Sequence, residues 1–183
     1  MGEEKPAEWY TAVSTERWVH KYMPIYVLTM DMLKEETEPG ERILEMGSGI
    51  GTMAKILFEN GYRNYLGIDF SPHMIKRAKE LVPNQLFMKC DLKDPMLKKM
   101  YTGCKYFICH EVLEHIEDDL KVLSYVPKGA TIIFSLPTAD AKAHVRRFKT
   151  VEGVYERYKE IIDIQTHRFV RKRRWHLCKG VIK

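Results

Sequence analysis

The residues best suited to chemistry fall in four short segments. The first is Glu45-Met46-Gly47-Ser48-Gly49-Ile50-Gly51-Thr52, an acid followed by three glycines at alternate positions. Glycine permits a tight turn and lets a ligand approach backbone N–H groups closely. The second is Asp69, 22 residues after Gly47; a carboxylate there can accept hydrogen bonds from both hydroxyls of a ribose. The third is Asp91, in Lys89-Cys90-Asp91-Leu92. The fourth is Cys109-His110-Glu111-Val112-Leu113-Glu114-His115-Ile116, followed at a distance by His144-Val145-Arg146-Arg147-Phe148. Imidazole titrates near neutrality, which suits general-base work. His110 and His144 are therefore the candidate catalytic residues, with His115 one helical turn beyond His110. Glu111 and Glu114 can bind an amine or a cofactor, or serve as ordinary acids at a helix start. Arg146 and Arg147 can hold an acidic substrate or remain in solvent.

These segments need elements to position them. Arg42 to Met46 reads as a strand, followed by the glycine turn and a helix from about Gly51 to Asn60. Tyr65 to Asp69 reads as a second strand. Ser71-Pro72 then gives a helix its N-cap and a proline at the first turn, and Met74, Ile75, Ala78 and Leu81 share one face. Further strands are expected at Gln85 to Lys89, Lys105 to Cys109 and Thr131 to Ser135. Strands alternating with helices predict a parallel sheet in a doubly wound α/β fold. Ile162 to Val170 and Trp175 to Ile182 read as two more strands. Their four-residue connection, Arg171 to Arg174, is too short for a parallel crossover, so they should pair antiparallel. Near the N-terminus, Ile25, Leu28, Met32 and Leu33 form a helical stripe after Pro24. An aromatic cluster of Trp9, Tyr10, Trp18, Tyr22 and Tyr26 surrounds it.

The chain has 183 residues, of which 45% are hydrophobic. That is enough for one packed domain and excludes a mostly disordered chain. No apolar run approaches the ~18 residues that span a bilayer, and the first residues lack the pattern of a secretory signal. Four cysteines at irregular spacing suggest neither a disulfide framework nor a zinc site. The expectation is a cytoplasmic protein with no metal and no membrane partner. Charge is uneven: residues 142–183 carry 13 basic and 4 acidic side chains, a net +9, within a chain of net +5. A basic segment attracts nucleic acid or acidic substrates, or simply solvates a surface.

A dinucleotide turn has the spacing G-x-G-x-x-G, set by a pyrophosphate on the helix N-terminus. The spacing here is G-x-G-x-G with an acid two residues ahead. In this the sequence resembles the class I S-adenosylmethionine-dependent methyltransferases, whose first motif is E/D-x-G-x-G-x-G. Asp69 falls where that family binds ribose, Asp91 on its adenine-contacting acid, and Cys109–Ile116 on its fourth-strand motif. The resemblance covers residues 40–183 and is strongest to the small-molecule subgroup. It implies a Rossmann-like, seven-stranded sheet in the order 3-2-1-4-5-7-6 with strand 7 antiparallel, preceded by a helical lid. The whole of 1–183 would be one domain, with 1–38 the lid and 40–183 the core. The implied cofactor is S-adenosylmethionine, with S-adenosylhomocysteine as product. Its expected contacts are Tyr10, Glu45, Gly47, Ser48, Gly49, Gly51, Asp69, Phe70, Met74, Asp91, Leu92, Cys109 and Glu111. Methyl transfer would be an in-line displacement, in which positioning supplies much of the rate. The acceptor is expected to be a small molecule. No N-P-P-Y-like tetrad, common in nucleic-acid and protein amide methyltransferases of the family, stands after strand 4. The alternatives are a methyltransferase acting on RNA or protein through the basic segment, and a non-catalytic module that binds the cofactor.

Overall fold

The computed structural model describes residues 2–13 and 16–183. The chain folds as two compact units. One is Pro6–Leu92; the other is Lys93–Lys183 together with the N-terminal residues up to Lys5.

The first unit runs α1 (Ala7–Val13), α2 (Glu16–Lys34), β1 (Ile43–Met46), α3 (Thr52–Glu59), β2 (Tyr65–Asp69), α4 (Pro72–Leu81) and β3 (Leu86–Lys89). Sequence periodicity starts the second helix at Pro24, but α2 begins at Glu16 and carries Pro24 in its interior. The proline forfeits one backbone hydrogen bond. Burial of Ile25, Thr29, Met32 and Leu33 outweighs that loss, since packing decides most helices. The side chain of Trp18, expected in the aromatic cluster, lies outside the described residues. In α4 the expected cap is present: Ser71 Oγ accepts the Met74 N–H at 3.4 Å, and Pro72 opens the helix. Met74, Ile75 and Ala78 are buried, whereas Leu81, at the helix end, is exposed.

The second unit runs α5 (Met96–Met100), β4 (Tyr106–His110), a short 3-10 turn (Leu113–His115), α6 (Asp119–Leu123), β5 (Thr131–Pro137), α7 (Val151–Tyr158), β6 (Ile162–Val170) and β7 (Trp175–Ile182). The strands follow the order β3-β2-β1-β4-β5-β7-β6. β1–β2, β2–β3 and β4–β5 pair in parallel, while β7 runs antiparallel to both β5 and β6. This is the Rossmann-like methyltransferase topology expected from the sequence. β1 is buried along its length and β4, β5 and β7 nearly so, as strands covered on both faces should be. The edge strand β6 instead alternates in exposure and slips register between Ile164 and Thr166. In the β6–β7 turn, Arg171, Lys172 and Arg173 all adopt positive φ, at 45°, 52° and 64°. Three consecutive left-handed, non-glycine residues are costly and leave four basic side chains exposed at one hairpin tip.

A buried charge cluster lies in the second unit. Asp119, at the start of α6, is fully buried. It accepts hydrogen bonds from Arg157 Nη2 at 2.5 Å and from the Tyr158 hydroxyl at 2.9 Å, and lies 3.2 Å from Arg146 Nη1. The Tyr158 ring packs 5.6 Å from Phe134 and stacks 5.8 Å from Phe148. One carboxylate thus ties α6 to α7 and to the loop after β5. Removing one partner of a buried ion pair leaves the others desolvated and uncompensated. Asp119→Ala should lower the unfolding free energy by about 3 kcal/mol, and Tyr158→Phe by about 1 kcal/mol, in urea denaturation. Equal, small effects from both changes would contradict this account.

Candidate functional site

The turn between β1 and α3 is built on backbone geometry that side chains rarely adopt. Gly47, Gly49 and Gly51 have φ of 78°, 51° and 82°. The N–H groups of Gly47 and Ser48 both donate to the Ile68 carbonyl, at 2.8 and 2.9 Å, which fastens the turn to β2. Asp69, the last residue of β2, completes the attachment. Its Oδ2 accepts the Gly49 N–H and its Oδ1 accepts the Ser71 N–H, both at 2.9 Å. The carboxyl is almost buried. Burial raises its pKa, while the N–H groups of Ser71, Gly49 and Phe70 act to lower it. Two oxygens offer about four lone-pair directions, so acceptor capacity remains for a diol.

The turn fits S-adenosylmethionine on two observations. A Cβ built at Gly49 would meet nothing within 4 Å, so the backbone there borders open space. In addition, the N-cap of α3 is Gly51, which provides no side-chain cap for the N–H groups of the first turn. Those donors are suited to a carboxylate.

Glu45 lies beneath this turn in β1 and is 3% exposed. Its carboxyl bonds to the Tyr65 hydroxyl. Tyr65 reaches it by lying across Gly67, which pairs with Glu45 in the β1–β2 register. A Cβ at Gly67 would come within 2.7 Å of the Tyr65 hydroxyl and 2.8 Å of Ser48 Cβ. Burial, opposed by the Tyr65 hydrogen bond, pushes the Glu45 pKa up to about 8. Glu45 is thus a buried, largely neutral acid. Tyr65 and Gly67 did not stand out in the sequence, although an alternate-residue Tyr-x-Gly opposite a strand acid is a usable signal.

The other expected contacts within residues 6–92 are placed as follows. The Tyr10 ring sits 5.5 Å from Phe70, edge to face, and 5.0 Å from Trp9. This brings α1 to the start of α4. Ser48, Met74 and Leu92 are buried, and Asp91 is exposed just past β3.

In residues 93–183, His110 ends β4 opposite Ser135, and Cys109 is fully buried beside it. Burial drives the His110 pKa down to about 3, so the ring is neutral at ordinary pH. Glu111 turns the chain with a φ of 56° and accepts a hydrogen bond from Ser135 Oγ at 2.9 Å. Glu114 is fully buried, and burial together with the Glu111 charge raises its pKa well above the carboxylate range. His115 is pushed down to about 4, chiefly by burial. Its ring lies 4.9 Å from that of His144. Arg146 does not stand in solvent: its guanidinium donates to the carbonyls of Leu113 at 3.0 Å, Glu117 at 2.7 Å and Ile116. Arg147 instead pairs with Asp140 at 2.8 Å on the surface. Cys90 is half-buried, and Cys104, Cys109 and Cys178 are buried.

A family model described as a methyltransferase domain matches residues 17–176. Over 58 residues, 32% of this chain, the sequence is 40% identical to 2-methyl-6-phytyl-1,4-hydroquinone methyltransferase of Synechocystis sp.; the chain spans 18% of that relative's length. The fold is similar to that of magnesium protoporphyrin IX methyltransferase from Synechocystis PCC 6803, solved with bound SAH. The TM-score is 0.68 at 18% identity, covering 91% of this chain and 85% of the other. It is also similar to an S-adenosylmethionine-dependent methyltransferase from Anabaena variabilis, with a TM-score of 0.71 at 12% identity, covering 91% and 87%. At such identities the structures speak for the fold alone.

Glu45 makes stability depend on pH with a definite sign. Its pKa is about 8 folded against 4.5 as the ordinary value. The folded state therefore binds the extra proton, and stability falls as pH rises from about 4.5 through 8. Urea unfolding should show a loss of roughly 1–3 kcal/mol between about pH 5.5 and about pH 8.5. Glu45→Gln, which cannot ionise, should flatten that slope. An identical slope in the variant would show that other groups set it.

Proposed function

The chain belongs to the methyltransferase domain family, and from that premise we propose that it transfers a methyl group from S-adenosylmethionine to a small-molecule acceptor. The cofactor supplies a methyl already activated on a sulfonium. The observation that carries the reading is the glycine turn, open at Gly49 and tied by that same residue to Asp69. Gly47, Ser48, Gly49 and Gly51 form the cradle, Asp69 takes the ribose hydroxyls, and Glu45 shapes the turn from below as a neutral acid. Phe70, Met74, Asp91 and Leu92 are assigned to the adenosine, with Tyr10 on Phe70 as the aromatic cover from α1. Cys109 and Glu111 are assigned to the cofactor, and His110 and His144 to the acceptor. A neutral His110 serves better there as a hydrogen-bonding group than as a store for protons, because a general base works best with a pKa near the operating pH. One relative supports a small acceptor, since its name specifies a phytyl hydroquinone as substrate.

S-adenosylhomocysteine should raise the melting temperature, because it binds only the folded state; NAD should not. Asp69→Ala should reduce cofactor affinity at least ~100-fold in calorimetry, the loss of two charge-assisted hydrogen bonds of roughly 1.5–3 kcal/mol each. Because Asp69 also secures the turn, circular dichroism should accompany the titration. Unchanged affinity in a folded variant would remove Asp69 from the cofactor site.

The acceptor class is tested at the β6–β7 turn. Phosphate contacts release counterions and make binding fall steeply with salt. RNA and DNA should bind only weakly at physiological salt. Replacing Arg171, Lys172, Arg173 and Arg174 with Gln should leave release of S-adenosylhomocysteine with a screened small acceptor within about threefold. Tight, salt-steep RNA binding that the variant loses would establish a macromolecular acceptor instead.

A further inference from the structure

The turn after β4 and the loop after β5 bring three metal-ligating side chains together. Donor atoms of Glu114, His115 and His144 all lie within 4.8 Å of one another, and all three residues belong to the unit of residues 93–183. Two imidazoles and one carboxylate form a donor set for divalent cations of intermediate hardness.

Three observations distinguish this cluster from chance packing. First, Glu114 is 0% exposed, and neither of its carboxylate oxygens has a hydrogen-bond partner. A buried carboxyl in that condition is costly unless something positive or donating reaches it. Second, His115 Nε2 stands 3.6 Å from Glu114 Oε1. That is long for a hydrogen bond but close to the ~3.0–3.5 Å between neighbouring ligands each ~2.1 Å from one ion. Third, the tautomer of His115 is set. Its Nδ1 lies 2.9 Å from the Ala143 carbonyl, which can only accept. Nδ1 therefore carries the proton, and Nε2 keeps its lone pair on the Glu114 side. An imidazole that gives its other N–H to a carbonyl is the usual second partner of a metal-bound histidine.

The backbone fixes the third ligand. The Val145 N–H donates to the Glu114 carbonyl at 2.9 Å, next in sequence to His144. Arg146 binds the carbonyls of Leu113, Ile116 and Glu117. The loop carrying His144 is thereby held along the turn carrying Glu114 and His115. The His115 side chain retains 19% exposure, which leaves the cluster accessible from solvent.

We propose that Glu114, His115 through Nε2, and His144 bind one divalent cation, such as zinc, cobalt or manganese. The donors lie within 4.8 Å of one another, against the ~4.2 Å that opposite ligands of one ion span, so small side-chain rotations suffice to close them on an ion. Three protein ligands leave coordination positions open to water or to an oxygen of a substrate. The site itself stands without the methyl-transfer reading; only the role of those open positions rests on it.

The test is a titration of the full chain with Co2+ alone, in the absence of S-adenosylmethionine and of any acceptor. Its failure would leave the methyltransferase reading intact, and failure of that reading would leave the metal site intact. Visible absorption should saturate at one ion per chain. Ring signals of His115 and His144 should broaden in the NMR spectrum while those of the exposed His20 do not. His115→Ala and His144→Ala should each weaken binding at least ~10-fold, whereas His20→Ala should not. If a variant fails to fold, the NMR measurement on the wild-type chain decides. No saturable binding up to roughly 1 mM, equal binding in the histidine variants, or broadening centred on His20 would each overturn the proposal.

Discussion

The loops that leave the carboxyl ends of the first three strands converge on one residue. Through its side chain Asp69 holds Gly49 in the loop after β1 and Ser71 in the loop after β2. Through its carbonyl it accepts the Cys90 N–H at 3.0 Å, just past β3. A carboxylate this deeply buried is unfavourable by itself, and the ring of backbone donors offsets that cost. The glycine turn and the start of α4 are therefore tied to one side chain, and the exit of β3 to the same residue's carbonyl. Any ligand contact that Asp69 makes is added to a structural role it already has.

The two units solve the problem of buried polar groups differently. In residues 6–92 the acids are held by hydrogen bonds and burial: Asp69 by backbone N–H groups, and Glu45 by a phenol in a site that favours its neutral form. In residues 93–183 one full charge, Asp119, is met by two guanidinium groups and a phenol. His110 and His115 of that unit lose their charge to burial. His176 is an ordered example: its Nε2 lies 2.8 Å from the Phe148 carbonyl and its Nδ1 2.8 Å from His167 Nε2. With His176 neutral, one arrangement of protons satisfies both contacts: His176 donates to the carbonyl and accepts from His167.

Much of the fold was legible because its signals are local. The four-residue connection paired β6 with β7 antiparallel, and the Ser71-Pro72 pair located α4. Among the helices that the sequence did not place, α5 and α6 are five residues long and α7 eight, shorter than the window over which periodicity registers. Pro24 misled because a propensity rule met a helix held by its packing. The site divides the same way. Gly47, Gly49, Gly51 and Asp69 follow from a contiguous motif and one strand length. Glu45 with Tyr65 lies across 20 residues, and Asp119 with Arg157 across 38. No spacing rule links such pairs, since their proximity is made by sheet register and helix docking. Arg146 shows the consequence for charge: its sequence context suggested solvent or an acidic substrate, and its partners are main-chain carbonyls and the buried Asp119.

The Tyr65 hydroxyl, lying over Gly67 to meet Glu45, also constrains how this sequence can change over time. Adding a methyl group at position 67 displaces the phenol and strands a buried acid. Removing the phenol first leaves that acid without its partner, and replacing the acid first leaves the hydroxyl buried alone. Each single step is unfavourable while the combined change need not be, because neighbours that share one interaction do not contribute additively. Glu45, Tyr65 and Gly67 should therefore be inherited as a set among descendants of this sequence, and lost, where they are lost, together.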